Sequence, residues 1–370
     1  MIPLFKPSLG EEELDLLREV FQSGWLGLGP RTAEFEGQFA DYVGARHAVG
    51  LSSCTAALHL SLGLLGLKPG DEVIVPAITF VSTAHAAVYW GARPVFADVQ
   101  PDTLCIDVKD AQRKITDRTR AILPVHYGGH PCDMDEIHPI AAARGIAVVE
   151  DAAHACGASY KGQRVGTLSP LTCFSFHAIK NLSCGDGGMV TTDNEAHATR
   201  LREWRWMGIS RDTWSRTEQG TTYNWDYAVH ELGFKAHLND IAAAIGLVQL
   251  RKLSAANRRR REIAARYNEG LRGTDWIECP PERDGAQSAW HIYHIKVDGR
   301  DGLHDYLMDR GITTGVHYRP VHLHPYYQGS GASCPVTERV WGRILSLPMF
   351  PDMTDAQVDQ VIEAVLSFKR

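Results

Sequence analysis

Residues 171–190, LTCFSFHAIKNLSCGDGGMV, read as a short apolar strand, a loop carrying Lys180, a glycine-rich turn and the start of a second strand. Lysine is among the residues least often buried without a partner, so Lys180, set among apolar and small residues, is either at the surface or chemically committed. Upstream, VVEDAAHACGASY (148–160) is another apolar strand, and it delivers Asp151 and His154 into a loop. Working outward, DEVIVPAIT, ARPVFADV, RAILPVH, IAVVED and GMVTTD also end in turn or polar residues. They alternate with helix-compatible stretches at 54–67, 82–90, 134–144 and 194–207. That alternation predicts an α/β fold, a mostly parallel sheet between helices, with ligands at the carboxyl ends of the strands.

A chain of 370 residues exceeds what one core usually holds, so a large domain (1–250) and a smaller one (251–370) are expected. Residues 239–270, rich in Ala, Leu and Arg at helical spacing, read as one long helix, or two broken near Ser254, leading from the first domain into the second. Beyond it, HIYHIKV reads as a strand, 302–310 as a helix, ITTGVHY as a strand and 354–368 as a terminal helix. The C-terminal domain is therefore expected to be α+β.

Hydrophobic residues make up 44% and charged residues 22%, which excludes a disordered or fibrous chain. The net charge of −6 argues against nucleic-acid binding, and the basic run 258–261 reads as the solvated face of a helix. The N-terminus lacks the charged and apolar regions of a secretory signal. The longest apolar stretch, AVGLSSCTAALHLSLGLLGL, is broken by Ser, His and Gly, so no membrane span is expected and the address is cytoplasmic. The eight cysteines read as buried hydrophobes or free thiols, and no pair has zinc-ligand spacing, so no metal is expected.

A third segment completes the chemistry. In GLSSCTAALHL (50–60), Ser53, Cys54 and Thr55 precede a helical Ala-Leu run, and free amides at a helix start form a phosphate site. An acid at a strand end is, alone, more often a helix cap or a metal ligand than catalytic. A lysine, such an acid and a phosphate-ready helix start are together the parts of a pyridoxal-5′-phosphate (PLP) site. The lysine amine condenses with the aldehyde, the carboxylate keeps the pyridine nitrogen protonated, and the helix start neutralises the phosphate.

These segments resemble the PLP-dependent sugar aminotransferases of the DegT/DnrJ/EryC1/StrS family, which have the aspartate aminotransferase (type I) fold with a seven-stranded-type sheet. The likeness runs from SGWLGLGPRTAEFEGQFADYVGARHAVGLSS through EDAAHACGA and SFHAIKNLSCGDGGMV to GFKAHLNDIAAAIGLVQL and LSLPMFPDMT. It implies Lys180 as the Schiff-base lysine, Asp151 as the pyridinium partner and His154 against the phenolic oxygen. It further implies Phe80 stacked on the ring and Ser175 on the phosphate. Cys54 and Thr55 match the Gly-Thr of the phosphate turn, a departure tolerable if the contact is made by the backbone amide rather than a left-handed conformation.

Where the family often reads Gly-Tyr-Asn-Tyr-Arg, this chain has Lys235 and His237. The resemblance places Lys235 on the phosphate of the opposite subunit in a homodimer with shared sites. It leaves His237 where an arginine normally approaches the substrate, and His317 and Tyr318 as substrate neighbours. The implied reaction is ping-pong transfer from an amino acid, L-glutamate, to a nucleotide-linked keto-deoxysugar.

Alternatives on the same scaffold are a PLP-dependent sugar dehydratase, which carries histidine at the lysine position, and a keto-inositol aminotransferase, whose sequence around the lysine differs. The intact lysine and acid speak against a regulator without turnover. A dinucleotide-binding dehydrogenase would need GxGxxG after an early strand, and none is present. The aromatic-rich run Trp204, Trp206, Trp214, Tyr223 and Trp225 reads equally as packing or as a sugar or nucleotide platform.

Overall fold

The computed structural model describes residues 1–210 and 227–369, so Trp214, Tyr223 and Trp225 lie outside the described residues. Strands β1 (His47–Leu51), β2 (Glu72–Pro76), β3 (Arg93–Ala97), β4 (Thr119–Ile122), β5 (Ala147–Asp151), β6 (Leu171–Ser175) and β7 (Gly188–Thr192) form one sheet in the order β1-β7-β6-β5-β4-β2-β3. Strands β2 to β6 are mutually parallel, while β7 runs antiparallel to both β6 and β1. Strands covered on both faces need continuous apolar sequence, and EVIVP and LTCFS are buried along their whole length. The fold class read from the sequence is the one observed.

Helices α1 (Glu11–Ser23), α2 (Pro30–Val43), α3 (Cys54–Leu64), α4 (Ser82–Val88), α5 (Val108–Arg113), α6 (Met134–Ala142) and α7 (Glu195–Trp204) accompany this sheet. Helix α8 (Asp240–Leu271) then runs 32 residues without a break, so the interruption expected near Ser254 is absent. Its first half packs Leu247 and Leu253 among Phe35, Phe39 and Phe174. Its second half packs Ile263 and Tyr267 in a separate core with Tyr293, Leu345 and Val361. Residue 250 thus falls inside one continuous helix, and the N-terminal Ile2 joins the second core. The second core is built on β8 (Ile277–Glu278), β9 (Tyr293–Val297) and β10 (Ile344–Leu347), with α9 (Arg300–Met308), α10 (Pro335–Trp341) and α11 (Asp355–Leu366) in the same part of the chain.

Two local readings are corrected. ITTGVHY forms only single bridges, Ile2 to Ile312 and Gly315 to Ser346. Past Gly315 the groups that would extend the ladder are used otherwise: Tyr127 donates its hydroxyl to the His317 carbonyl, and His317 Nδ1 lies 2.8 Å from Ser346 Oγ. The basic run is not wholly solvated either. Four successive helical residues sweep around the axis, so one must face inward. That one is Arg260, 2% exposed, whose Nη1 donates to the Met349 carbonyl at 3.0 Å.

The edge of the sheet nearest the site is tied by a buried ion pair. Arg205, just after α7, pairs with Glu36 of α2 and donates to the Gly50 carbonyl at 2.8 Å, while the Gly50 N–H donates to Glu36 at 2.8 Å. Removing one partner leaves an uncompensated buried charge, which typically costs about 3–5 kcal/mol. Arg205→Met is expected to lower the unfolding free energy by about that amount in denaturant titrations. The double variant with Glu36→Gln should recover part of the loss.

Candidate active site

The carboxyl ends of β5 and β6 meet over a cavity of about 310 Å³ whose lining includes Cys54, Thr55, Phe80, Asp151, His154, Ser175, Lys180, His317 and Tyr318. Asp151, the last residue of β5, is 5% exposed. Its Oδ2 accepts from Thr83 Oγ1 at 2.7 Å and its Oδ1 from the Ala153 N–H at 3.1 Å. Thr83 has one hydroxyl proton and gives it to Asp151, so the 2.7 Å contact with Thr79 Oγ1 must be donated by Thr79. Burial raises the Asp151 pKa, against the lowering effect of the Thr83 and Ala153 bonds. Among the described residues no cationic side chain hydrogen-bonds this carboxylate.

Lys180 as a whole is half-buried, but its amine is enclosed enough that burial lowers its pKa to about 8. The amine lies 3.4 Å from His291 Nε2. His154 is buried and receives the Gly128 N–H on Nδ1 at 3.3 Å, so its proton sits on Nε2 and is directed at Tyr318 Oη, 3.0 Å away. Burial holds His154 neutral, its pKa well below the ordinary value, and pushes the Tyr318 phenol up. Phe80 is 57% exposed, with its ring centroid 5.9 Å from that of Tyr318, and stands at the cavity mouth.

The start of α3 forms the floor. Ser53 caps the helix, its hydroxyl accepting from the Ala56 N–H at 3.1 Å, and the first-turn amides at Cys54 and Thr55 make no helical bond. Thr55 Oγ1 contacts Ser82 Oγ at 2.7 Å, which adds hydroxyls beside the amides. Cys54 has no left-handed backbone, so glycine's conformational freedom is not needed there. Burial pushes its thiol well up, leaving it an inert neighbour. Gly188 is constrained instead: a Cβ there would stand 2.4 Å from the Ser53 carbonyl carbon and 2.6 Å from the Cys54 nitrogen.

The residues present fit PLP. A buried carboxylate without a cation suits a protonated ring nitrogen, a lysine amine with pKa near 8 suits condensation with an aldehyde, and free helix amides with hydroxyls suit a phosphate. Residues 7–366 match the DegT/DnrJ/EryC1/StrS aminotransferase family. The chain belongs to that family. It is 43% identical over 375 aligned positions to the spore coat polysaccharide biosynthesis protein SpsC of Bacillus subtilis, covering 98% of this chain and 96% of that protein. The aminotransferase TlmJ of Streptoalloteichus hindustanus is 41% identical, with a TM-score of 0.92 over 99% of this chain and 98% of that one. The putative sugar aminotransferase Spr1654 of Streptococcus pneumoniae, solved in a PMP form, is 31% identical with a TM-score of 0.93, covering 99% and 98%. The same protein in a PLP form gives a TM-score of 0.91 over 98% and 97%.

Two of the residues singled out in the sequence stand apart from the cavity. Lys235 is exposed, its amine 3.3 Å from the Trp206 ring centroid. His237 packs edge-on against the same indole, 4.6 Å between centroids. Trp204 is 3% exposed and stacks on Trp90, so it is packing and not a platform. The sequence reading missed Thr83 and His291. Thr83 in the first turn of α4, with Thr79 in the loop before it, was a signal for the first, whereas HIYHIKV gave none for the second.

Two substitutions test this geometry. Thr83→Val removes a bond to a charged group, and because that bond lowers the Asp151 pKa its loss raises it. Turnover is expected to fall at least tenfold, about 1.4 kcal/mol, with the melting temperature little changed. Gly188→Ala should weaken PLP binding at least tenfold in equilibrium titration, because its methyl displaces the Ser53–Cys54 turn.

Proposed function

We propose that this aminotransferase uses PLP to move an amino group from L-glutamate to a nucleotide-linked keto-deoxysugar. The observation that carries the reading is the enclosure of Lys180 and Asp151 in one cavity above the free amides of α3. Bound there, PLP supplies an aldehyde that captures amines and a ring that withdraws electrons from the substrate carbon. The other work falls to the chain. Lys180 is the attachment point and, once released, carries the proton between substrate carbon and cofactor. Its pKa near 8 leaves a substantial neutral fraction at physiological pH, the form that can take a proton. Asp151, oriented by its hydrogen bond from Thr83, would keep the ring nitrogen protonated. Ser175, Thr55 and the amides of α3 would hold the phosphate, Phe80 would cover the ring, and His154 would turn its single Nε2 proton from Tyr318 Oη to the phenolic oxygen.

The sugar class draws support from relatives: a polysaccharide biosynthesis protein and a putative sugar aminotransferase. His237 cannot replace the arginine as an anion anchor, since burial lowers its pKa to about 4 and leaves it neutral. Standing outside its own cavity, it would meet substrate as a neutral hydrogen-bonding group only in a partner subunit's site, whereas His317 and Tyr318 are substrate neighbours from the cavity wall. Lys235, exposed and outside its own cavity, is suited to the phosphate in a partner subunit, which makes the active unit a homodimer. Eight free cysteines favour a reducing, cytoplasmic setting, and among the described residues no helix is long and apolar enough to cross a membrane.

Borohydride reduction of the PLP-loaded protein is expected to fix the cofactor to Lys180, read by peptide mass spectrometry. Glutamate should then support amination of at least one keto-sugar in a nucleotide-linked panel. Label on another lysine, or turnover only with free keto-inositols, would overturn the respective part of the reading. Mixing Lys180→Ala with Lys235→Ala subunits should restore activity at limiting PLP, because one site in each heterodimer carries neither lesion. No restoration under subunit exchange removes Lys235 from the shared site.

A further inference from the structure

His291 is a buried titratable group that touches a reacting atom and has no task in the reading above. It lies just before β9, 1% exposed. Its ring stacks on Phe5 of the N-terminal segment, with centroids 5.2 Å apart and 11° between planes, and it leans on His154 at 4.7 Å. Nε2 sits 3.4 Å from Lys180 Nζ, the only hydrogen bond this amine makes among the described residues. Nδ1 has no partner. Packing between two rings therefore fixes the imidazole plane, while its proton is free to reside on Nδ1, which leaves the Nε2 lone pair for the amine.

We propose that His291 is the acceptor that receives the Lys180 amine whenever it is not bonded to the cofactor, and holds it within reach of the substrate carbon. This rests on Lys180 being the attachment lysine. His291 neither gains nor loses a proton in this role; one hydrogen bond from Nζ forms on release and breaks on reattachment. The geometry suits both states of the amine, since neutral amine and ammonium alike can donate to Nε2. Burial, together with Lys180, His154, Arg260 and His317 around the ring, keeps the imidazole neutral, so it stays an acceptor where the amine titrates. Asp151 is the charged group that favours the ammonium form, and it does not hydrogen-bond the amine; the Cys54 thiol, pushed well up by burial, stays neutral where the amine titrates.

The acceptor stabilises ammonium more than amine, so its removal should lower the Lys180 pKa. The readout is the 13Cε shift of Lys180 in lysine-labelled protein loaded with pyridoxamine phosphate, where this amine is free; loss of the signal in Lys180→Arg assigns it. The wild-type midpoint is expected below the ordinary lysine value, because the amine is buried. His291→Phe retains the stack on Phe5 but has no acceptor, and its midpoint should fall by about one unit, a tenfold loss of proton affinity. His291→Gln places an amide oxygen near the Nε2 position and should stay close to wild type. An unmoved midpoint in His291→Phe, or equal shifts in Phe and Gln variants, overturns the proposal. If His291→Phe does not fold, His291→Asn, whose amide is too short to reach Nζ, takes its place with the same expected shift. Failure of the underlying reading shows itself separately, as borohydride label on a lysine other than Lys180.

Discussion

A carboxylate kept inside the end of an apolar sheet is the constraint on which the rest of this site depends. Asp151 is nearly inaccessible, and taking an ionised carboxyl out of water without a cation is expensive. The chain offsets this only in part, with one backbone amide and the Thr79–Thr83 hydroxyl relay. Both bonds come from elements that meet at this end of the sheet: the residue two past the end of β5 and the first turn of α4. What they leave without a cation is the charge itself, which is the electrostatic reason Asp151 suits the protonated ring nitrogen proposed for it.

The second constraint is topological. Strand β6 delivers Ser175 and, beyond it, Lys180; β7 returns antiparallel and starts beside the same end. Gly188 opposes Ser175 on one side and Leu51 of β1 on the other. A single glycine therefore joins the lysine segment to the turn that starts α3. Because its missing Cβ lets the Ser53–Cys54 backbone approach, the phosphate floor and the lysine are set by the same short ladder. The antiparallel direction of β7 is what brings the two ends of the cofactor site together.

Much of this was legible in the sequence because it depends on local pattern. Continuous apolar runs fixed the strands, and Asp151, Lys180 and the Ser53–Thr55 turn could be read from their positions at strand ends and a helix start. Long-range pairing was not legible. ITTGVHY has the composition of a strand, yet its neighbouring strand meets it at one residue only. Arg260 looked solvated because a run of four arginines hides which one faces inward; only the docking of α8 against the second core decides that. His291 sits in a strand-like sequence, and its significance comes from Phe5 and Lys180, distant in the chain by hundreds and by about a hundred residues.

The departure at 235–237 is where this chain has changed its electrostatics within the family frame. A neutral imidazole in place of a guanidinium removes a permanent charge and its bidentate donor geometry. The adjacent lysine cannot restore that fork, since its ammonium is a point charge and rests on the Trp206 face. It can serve a phosphate, where a single charge-assisted bond suffices. Relative to the Gly-Tyr-Asn-Tyr-Arg that the family often reads, Lys235 and His237 set the positive charge two residues nearer the N-terminus and leave a neutral imidazole at 237. On the function proposed above, a substrate carboxylate or diphosphate would therefore have to be anchored by cations other than residue 237.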